Sequence, residues 1–282
     1  MDTKTSIDLG DVQETLLIPL WARAEEFKQE NAIIRVAKPC RQAYRTSAEM
    51  MAAIDYDFAK FAKDRSNQVS CCLRGYLMDD WVKKYIQQYP QGVVVELGAG
   101  LNTRFERLDN GRIRWFDLDL ADTMTLRQKF FRETERCKFN SASALDSDRC
   151  ELVRAKASGE PCLFVAEGVL MYFTEAEVKQ LFANLFPRFP GSGLAFDSVS
   201  PFLAKQYKPQ KKLTAKFNWG IADIEEIETW NSHYKLEEIK NFWDAPPEYL
   251  RRFSWLNRCL FSIPFFRHSY RLALLSFSQT NS

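Results

Sequence analysis

The segment Val93-Val94-Val95-Glu96-Leu97-Gly98-Ala99-Gly100 constrains this chain more than any other, because three β-branched residues in a row run straight into a glycine turn. Consecutive strand residues point to opposite faces, so three valines together predict a strand buried on both sides, as in a parallel sheet covered by helices. Gly98 and Gly100 supply positive φ and remove the Cβ that keeps a ligand away from backbone, and a helix expected to begin near Asn102 or Thr103 offers unpaired N–H groups behind them. The turn departs from the dinucleotide fingerprint GxGxxG, since Thr103 stands where the third glycine packs helix on strand. This disfavours a nicotinamide-dependent oxidoreductase. Glu96, at the mouth of the strand, would repel a pyrophosphate and is suited to orient backbone or to accept a bond from a cationic ligand.

Further strand-like runs follow at Arg112 to Leu118, Lys138 to Ala144, Pro161 to Ala166, Gly193 to Val199 and His233 to Asn241, with helical spacing between several of them, including Val178, Leu181, Phe182, Leu185 and Phe186. Tyr270 to Ser278 alternates with period two. Before Pro90-Gln91-Gly92, apolar residues recur at helical steps, and Gly75 to Gln88 is the clearest helix. The expectation is an α/β, Rossmann-like sheet, mostly parallel with a C-terminal antiparallel strand, in a single domain spanning 1–282. Residues 1–90 form a helical region, and 91–282 form the core, with a lid-like insertion near 200–220. That insertion carries Lys205, Lys208, Lys211, Lys212 and Lys216, which read as a solvated loop.

The 39 basic and 37 acidic residues leave a net charge of +2, which gives no field for phosphate neutralisation; a small molecule is expected as partner, not nucleic acid. The seven cysteines contain no CxxC pair, so neither a disulfide framework nor a metal site is expected, and the compartment should be the reducing cytoplasm. The most apolar stretches are broken by Glu167 and Pro264 and are too short to span a bilayer, so no membrane partner is expected. Oligomeric state is not legible.

Asp117 and Asp119 end the second strand, and Asp119 lies 21 residues beyond Gly98, the distance at which a carboxylate grips both ribose hydroxyls of a nucleoside ligand. Asp119 is the first choice and Asp117 the second; either acid could instead cap the helix expected over 120–131. Ala166 to Phe173 brings Glu167 and Tyr172 to the same carboxyl edge of the sheet. Glu167 in so apolar a run requires a partner, either a bound ammonium or sulfonium or a structural cation such as Arg74.

Taken together and in order, LRGYLMDDWV, ELGAGLNTRFERL, WFDLDL and AEGVLMYF resemble the leucine carboxyl methyltransferase family, more closely its bacterial branch of polyketide O-methyltransferases. The resemblance covers residues 11 to 200 and implies a class I methyltransferase sheet using S-adenosyl-L-methionine. It implies that Arg74 holds the methionyl carboxylate, Gly98 and Gly100 flank the methionine part and Asp119 grips the ribose. It further implies that Ala144, Leu145 and Asp146 border the adenine, Glu167 receives the α-ammonium and Tyr172 faces the transferred methyl. Asn102, Ala121 and Ser143 depart from the family pattern, and the features that recognise a phosphatase tail are not identifiable.

The function so implied is methyl transfer to a carboxylate or hydroxyl of a small molecule, such as a polyketide-like metabolite. It needs in-line positioning and no metal. A hydroxyl acceptor would also need a base, for which Asp197, Tyr172 and His233 are candidates. The alternatives are a non-catalytic protein that binds S-adenosylmethionine or S-adenosylhomocysteine and, behind it, the nicotinamide enzyme.

Overall fold

The computed structural model describes residues 4–34, 46–62, 64–157, 159–206 and 215–277, leaving aside the side chains of 147–150 and 152. Seven strands form one sheet in the order β3-β2-β1-β4-β5-β7-β6. They are β1 (Val93–Leu97), β2 (Arg114–Asp119), β3 (Cys137–Ser141), β4 (Cys162–Ala166), β5 (Gly193–Val199), β6 (Tyr234–Lys240) and β7 (Tyr270–Phe277). β1 to β5 pair in parallel, while β7 runs antiparallel between β5 and β6. The expected C-terminal antiparallel strand is therefore present, inserted inside the sheet.

The valine run explains why β1 is central. All five of its residues are buried. Val94 packs with Trp115, Leu163 and Trp81 on one face, while Val93 and Val95 pack with Phe116, Phe164 and Phe182 on the other. The first face is covered by the helices Leu17–Glu26 and Arg65–Gln88, the second by the helix Glu175–Leu185. Burying a large apolar side chain contributes about 1.5–3 kcal/mol, so layers on both faces of the sheet are what hold it. Strand order reverses between β1 and β4, and in such sheets ligands bind at the carboxyl ends of the strands beside that point.

The helix expected over 75–88 begins ten residues earlier, at Arg65, where Asp64 accepts a bond from the Asn67 amide at 3.0 Å. Gly75, the start expected from the sequence, lies mid-helix with a packing reason: a Cβ there would sit 2.8 Å from Ile34 Cδ1. The apolar stretch 259–266 contributes to two short helices, Trp255–Ser262 and Pro264–Arg267, which sequence periodicity did not reveal. Of the expected insertion, 201–206 is helix and 215–220 is loop; Lys208, Lys211 and Lys212 lie outside the described residues. Among the described residues, no helix is long and apolar enough to cross a membrane.

Candidate active site

Gly98 and Gly100 adopt φ of +69° and +51°, and the turn folds back so that the amides of Gly98 and Ala99 both donate to the Leu118 carbonyl, at 2.8 and 3.0 Å. A Cβ on Gly98 would lie 2.5 Å from Val169 Cγ2, so the β1 and β4 loops approach closely only because that residue is glycine. The following helix, Arg104–Leu108, begins just past the expected start.

A cavity of about 680 Å³ opens over this turn. Gly98, Gly100, Asp119, Ala144, Glu167 and Tyr172 line it, as does Arg74. Asp119 is held by two amides, Gly100 N to Oδ2 and Leu120 N to Oδ1, both at 2.7 Å. Burial raises its carboxyl above the usual range against the pull of those amides. Two bonds leave lone pairs on each oxygen for further donors.

Four expected site residues do not reach the cavity. Asp117 is buried beneath the turn, where it accepts from Arg127 Nη2 at 2.7 Å and Trp115 Nε1 at 3.1 Å. Arg127 in turn donates to the carbonyls of Gly100 and Asn102, so this pair braces the glycine turn from below. The reason is strand geometry: Asp117 and Asp119 share a face of β2, but only the strand-terminal acid clears the sheet. Glu96 is likewise taken up by Arg104 and does not line the cavity. Leu145 and Asp146 stand just beyond Ala144, held in a turn by Ser143 through the bonds Leu145 N to Oγ and Asp146 N to the carbonyl.

Arg104 organises the charges under the site, and the sequence reading missed it. It is 1% exposed, donates to Asp79 Oδ1 at 2.7 Å and bonds both Glu96 and Glu167. Glu167 also accepts from Arg74 Nε at 2.8 Å, so the structural cation foreseen for it is present. Burial by itself would raise the Glu167 carboxyl, but Arg74 and Arg104 outweigh it and hold it down to about 2. Arg74 continues to Tyr270 Oη at 3.2 Å and to Asp197 at 3.4 Å. Asp197, a candidate base, is fully buried, accepts from the Gly168 amide at 2.7 Å and is not part of the cavity wall. His233 stacks on Phe186, far from this edge in the fold, on the second layer.

Arg23 is the second residue that sequence spacing did not single out. It sits on the Leu17–Glu26 helix, lines the cavity, and donates from Nη2 to the Leu101 carbonyl at 3.1 Å, while its Nε is buried with no hydrogen-bond partner. Burial lowers its pKa to about 10, with Glu167 opposing. A guanidinium so placed is a site for an anion. Tyr172 donates to Thr15 Oγ1 at 3.1 Å and meets Phe217 edge-on at 5.3 Å. The rest of the wall is mixed: Met171, Phe202, Phe217, Phe242, Phe261 and Phe266 give it an aromatic and apolar part, and Asp64, Asn67, Ser70, Ser143 and Gln206 a polar one.

The sheet resembles, with a TM-score of 0.48 and 14% identity, an O-methyltransferase family protein from Burkholderia thailandensis, covering 96% of this chain and 73% of that one. In sequence, the chain is 27% identical over 278 residues to the tetracenomycin polyketide synthesis O-methyltransferase TcmP of Streptomyces glaucescens, covering 96% of this chain and 99% of the relative. It is also 27% identical over 258 residues to the S-adenosyl-L-methionine-dependent methyltransferase dpfgK of Gibberella zeae, covering 83% and 84%. Residues 23–186, more than half the chain and including the glycine turn, Asp119 and Glu167, match the leucine carboxyl methyltransferase family. The chain therefore belongs to the leucine carboxyl methyltransferase family and is an S-adenosylmethionine-dependent methyltransferase.

Proposed function

We propose that this enzyme methylates an oxygen, carboxylate or hydroxyl, of an apolar, polyketide-like small molecule. The observation that carries the reading is one continuous cavity that joins the glycine turn and Asp119 to aromatic walls. The residues fit the cofactor on two counts: the buried Arg23 Nε has no hydrogen-bond partner and suits an anion, and Gly100 lines the cavity with only Leu16 Cβ, at 3.6 Å, near the place a side chain would take. When bound, S-adenosylmethionine supplies a methyl group activated on a sulfonium.

In this reading, Asp119 accepts from the ribose hydroxyls with the lone pairs its amide bonds leave open, and Ala144 borders the adenine with Leu120. Arg23 pairs with the methionyl carboxylate, a role the resemblance gives to Arg74; the bonds of Arg74 to Glu167 and Tyr270 suit it instead to fixing the floor. Each Glu167 oxygen keeps a lone pair beyond its arginine bond, enough to receive an ammonium. Tyr172 faces the acceptor, and Phe217, Phe242 and Phe266 exclude water and align it for in-line attack, a source of up to about 7–11 kcal/mol of barrier lowering. A carboxylate acceptor needs no base. The cavity draws on the N-terminal helices and the sheet alike, which supports reading the chain as a single domain.

Calorimetric titration with S-adenosylhomocysteine tests the cofactor half, and transfer of isotope-labelled methyl into a panel of aromatic acids and phenols tests the acceptor half. Binding without transfer to any member would favour a non-catalytic role; absence of binding by folded protein would refute the reading.

A further inference from the structure

The helix Trp255–Ser262 is held to the protein by polar and aromatic contacts and turns apolar side chains outward. Inward, Asn257 Nδ2 bonds Ser66 Oγ at 3.0 Å and Phe261 packs on Phe253 at 5.4 Å. Outward lie Trp255, 70% exposed, with Leu256 and Leu260, followed by Ile263 and Phe265 on the next turn. Phe265 meets Phe202 at 5.3 Å, which extends the patch to the Pro201–Gln206 helix. Single exposed apolar side chains are ordinary, but five of the ten large apolar side chains exposed among the described residues fall between 255 and 265, with Phe202 against one of them, and such a concentration marks an interaction surface.

Charge decides which partner fits. The chain as a whole is nearly balanced, yet residues 249–277 contain no Asp or Glu; Arg251 is exposed, as is Lys205 three places after Phe202, while Arg258 and Arg267 are half-buried, Arg267 over the Trp243 ring. A second copy meeting this face about a twofold axis would bring like charges together. An anionic lipid surface supplies both what the rings need and what the arginines need, and a Trp, Phe, Leu and Arg mixture on a short amphipathic helix is the composition of an interfacial anchor.

We propose that this face docks on an anionic membrane surface. No membrane partner is expected from the sequence, because nothing there can span a bilayer, but lying on one is a different physical demand. Phe202 belongs both to the patch and to the cavity wall, and Phe266 beside Phe265 lines the cavity too. The docked face thus sits at the rim through which an apolar acceptor would pass; that last step rests on the function proposed above, whereas docking itself does not.

The test is co-sedimentation of the full chain with vesicles of phosphatidylcholine alone and of phosphatidylcholine mixed with phosphatidylglycerol, at low and high salt. Partitioning should occur on the mixed vesicles, weaken with salt, and fall about tenfold or more in the Trp255→Ser/Ile263→Ser double variant. Neither residue lines the cavity, so the variant should bind S-adenosylhomocysteine like wild type, which separates a docking failure from misfolding or from failure of the functional reading. Wild type that stays in the supernatant with both vesicles overturns the proposal. So does a dimer, seen by light scattering, that the double variant dissociates without any vesicle binding; the face would then belong to a second copy.

Discussion

Replacing Arg23 by methionine separates binding from stability. The guanidinium has one hydrogen bond, to the Leu101 carbonyl, and a buried Nε with none. Losing the bond costs about 0.5–1.5 kcal/mol, and removing the unsatisfied polar group returns about 1–3 kcal/mol. The two roughly offset, and methionine keeps most of the apolar stem packed, so the unliganded variant should melt within about 4 °C of wild type. Its affinity for S-adenosylhomocysteine should fall much further. A charge-assisted bond to the methionyl carboxylate is worth about 1.5–3 kcal/mol, which is about 10- to 150-fold in Kd. Calorimetric titration with differential scanning on the same preparations reads both quantities. Adenosine, which lacks the carboxylate, should bind both proteins alike. The reasoning fails if the variant binds S-adenosylhomocysteine as wild type does, or if adenosine loses as much affinity as the full ligand.

Three further outcomes follow from the same geometry. Asp117→Ala leaves the buried Arg127 without its carboxylate, which should cost about 3–5 kcal/mol and lower Tm by on the order of 10 °C, whereas Asp119→Ala should weaken S-adenosylhomocysteine binding with a much smaller thermal shift; equal shifts in the two variants would contradict the separation of brace from ligand. Gly98→Ala combines left-handed backbone, about 1–2 kcal/mol, with a Cβ 2.5 Å from Val169 Cγ2, and Val169→Ala should recover only the steric part in a double-mutant cycle read by thermal melts. Burial raises Glu106 from 4.5 to about 7 and its Oε2 has no hydrogen bond, so the folded state holds a proton that the unfolded chain gives up earlier; stability attributable to this residue falls as pH rises from about 4.5 through 7. Glu106→Gln should therefore match wild type near pH 4.5 and exceed it increasingly up to pH 8, and a constant Tm difference across that range would rule the account out.

The legible parts of this protein are those set by short-range pattern. The valine run located the central strand, the glycines located the turn, and period-two alternation located β7, because face alternation and positive φ are local properties of the backbone. The ordered motifs resembling one family pointed to the methyltransferase fold, and the spacing from Gly98 to Asp119 brought that acid to the cavity wall. Helix limits were less legible, since Gly75 looks like a break until Ile34 packs against it from a distant part of the chain.

What the sequence alone determined, then, is the sheet, the glycine turn and the family. Only the tertiary structure decided which charged residue faces the cavity and which faces another charge. Asp117 and Asp119 are two residues apart and read alike, but Arg127 comes from a later helix to claim the first. Glu96, Glu167, Asp79 and Arg104 come from four separate elements, and Arg23 reaches the site from a helix some seventy-five residues before the turn. Such pairings cannot be read from local pattern, because a carboxylate's partner is fixed by long-range packing, and it is the partner that makes it a brace or a ligand.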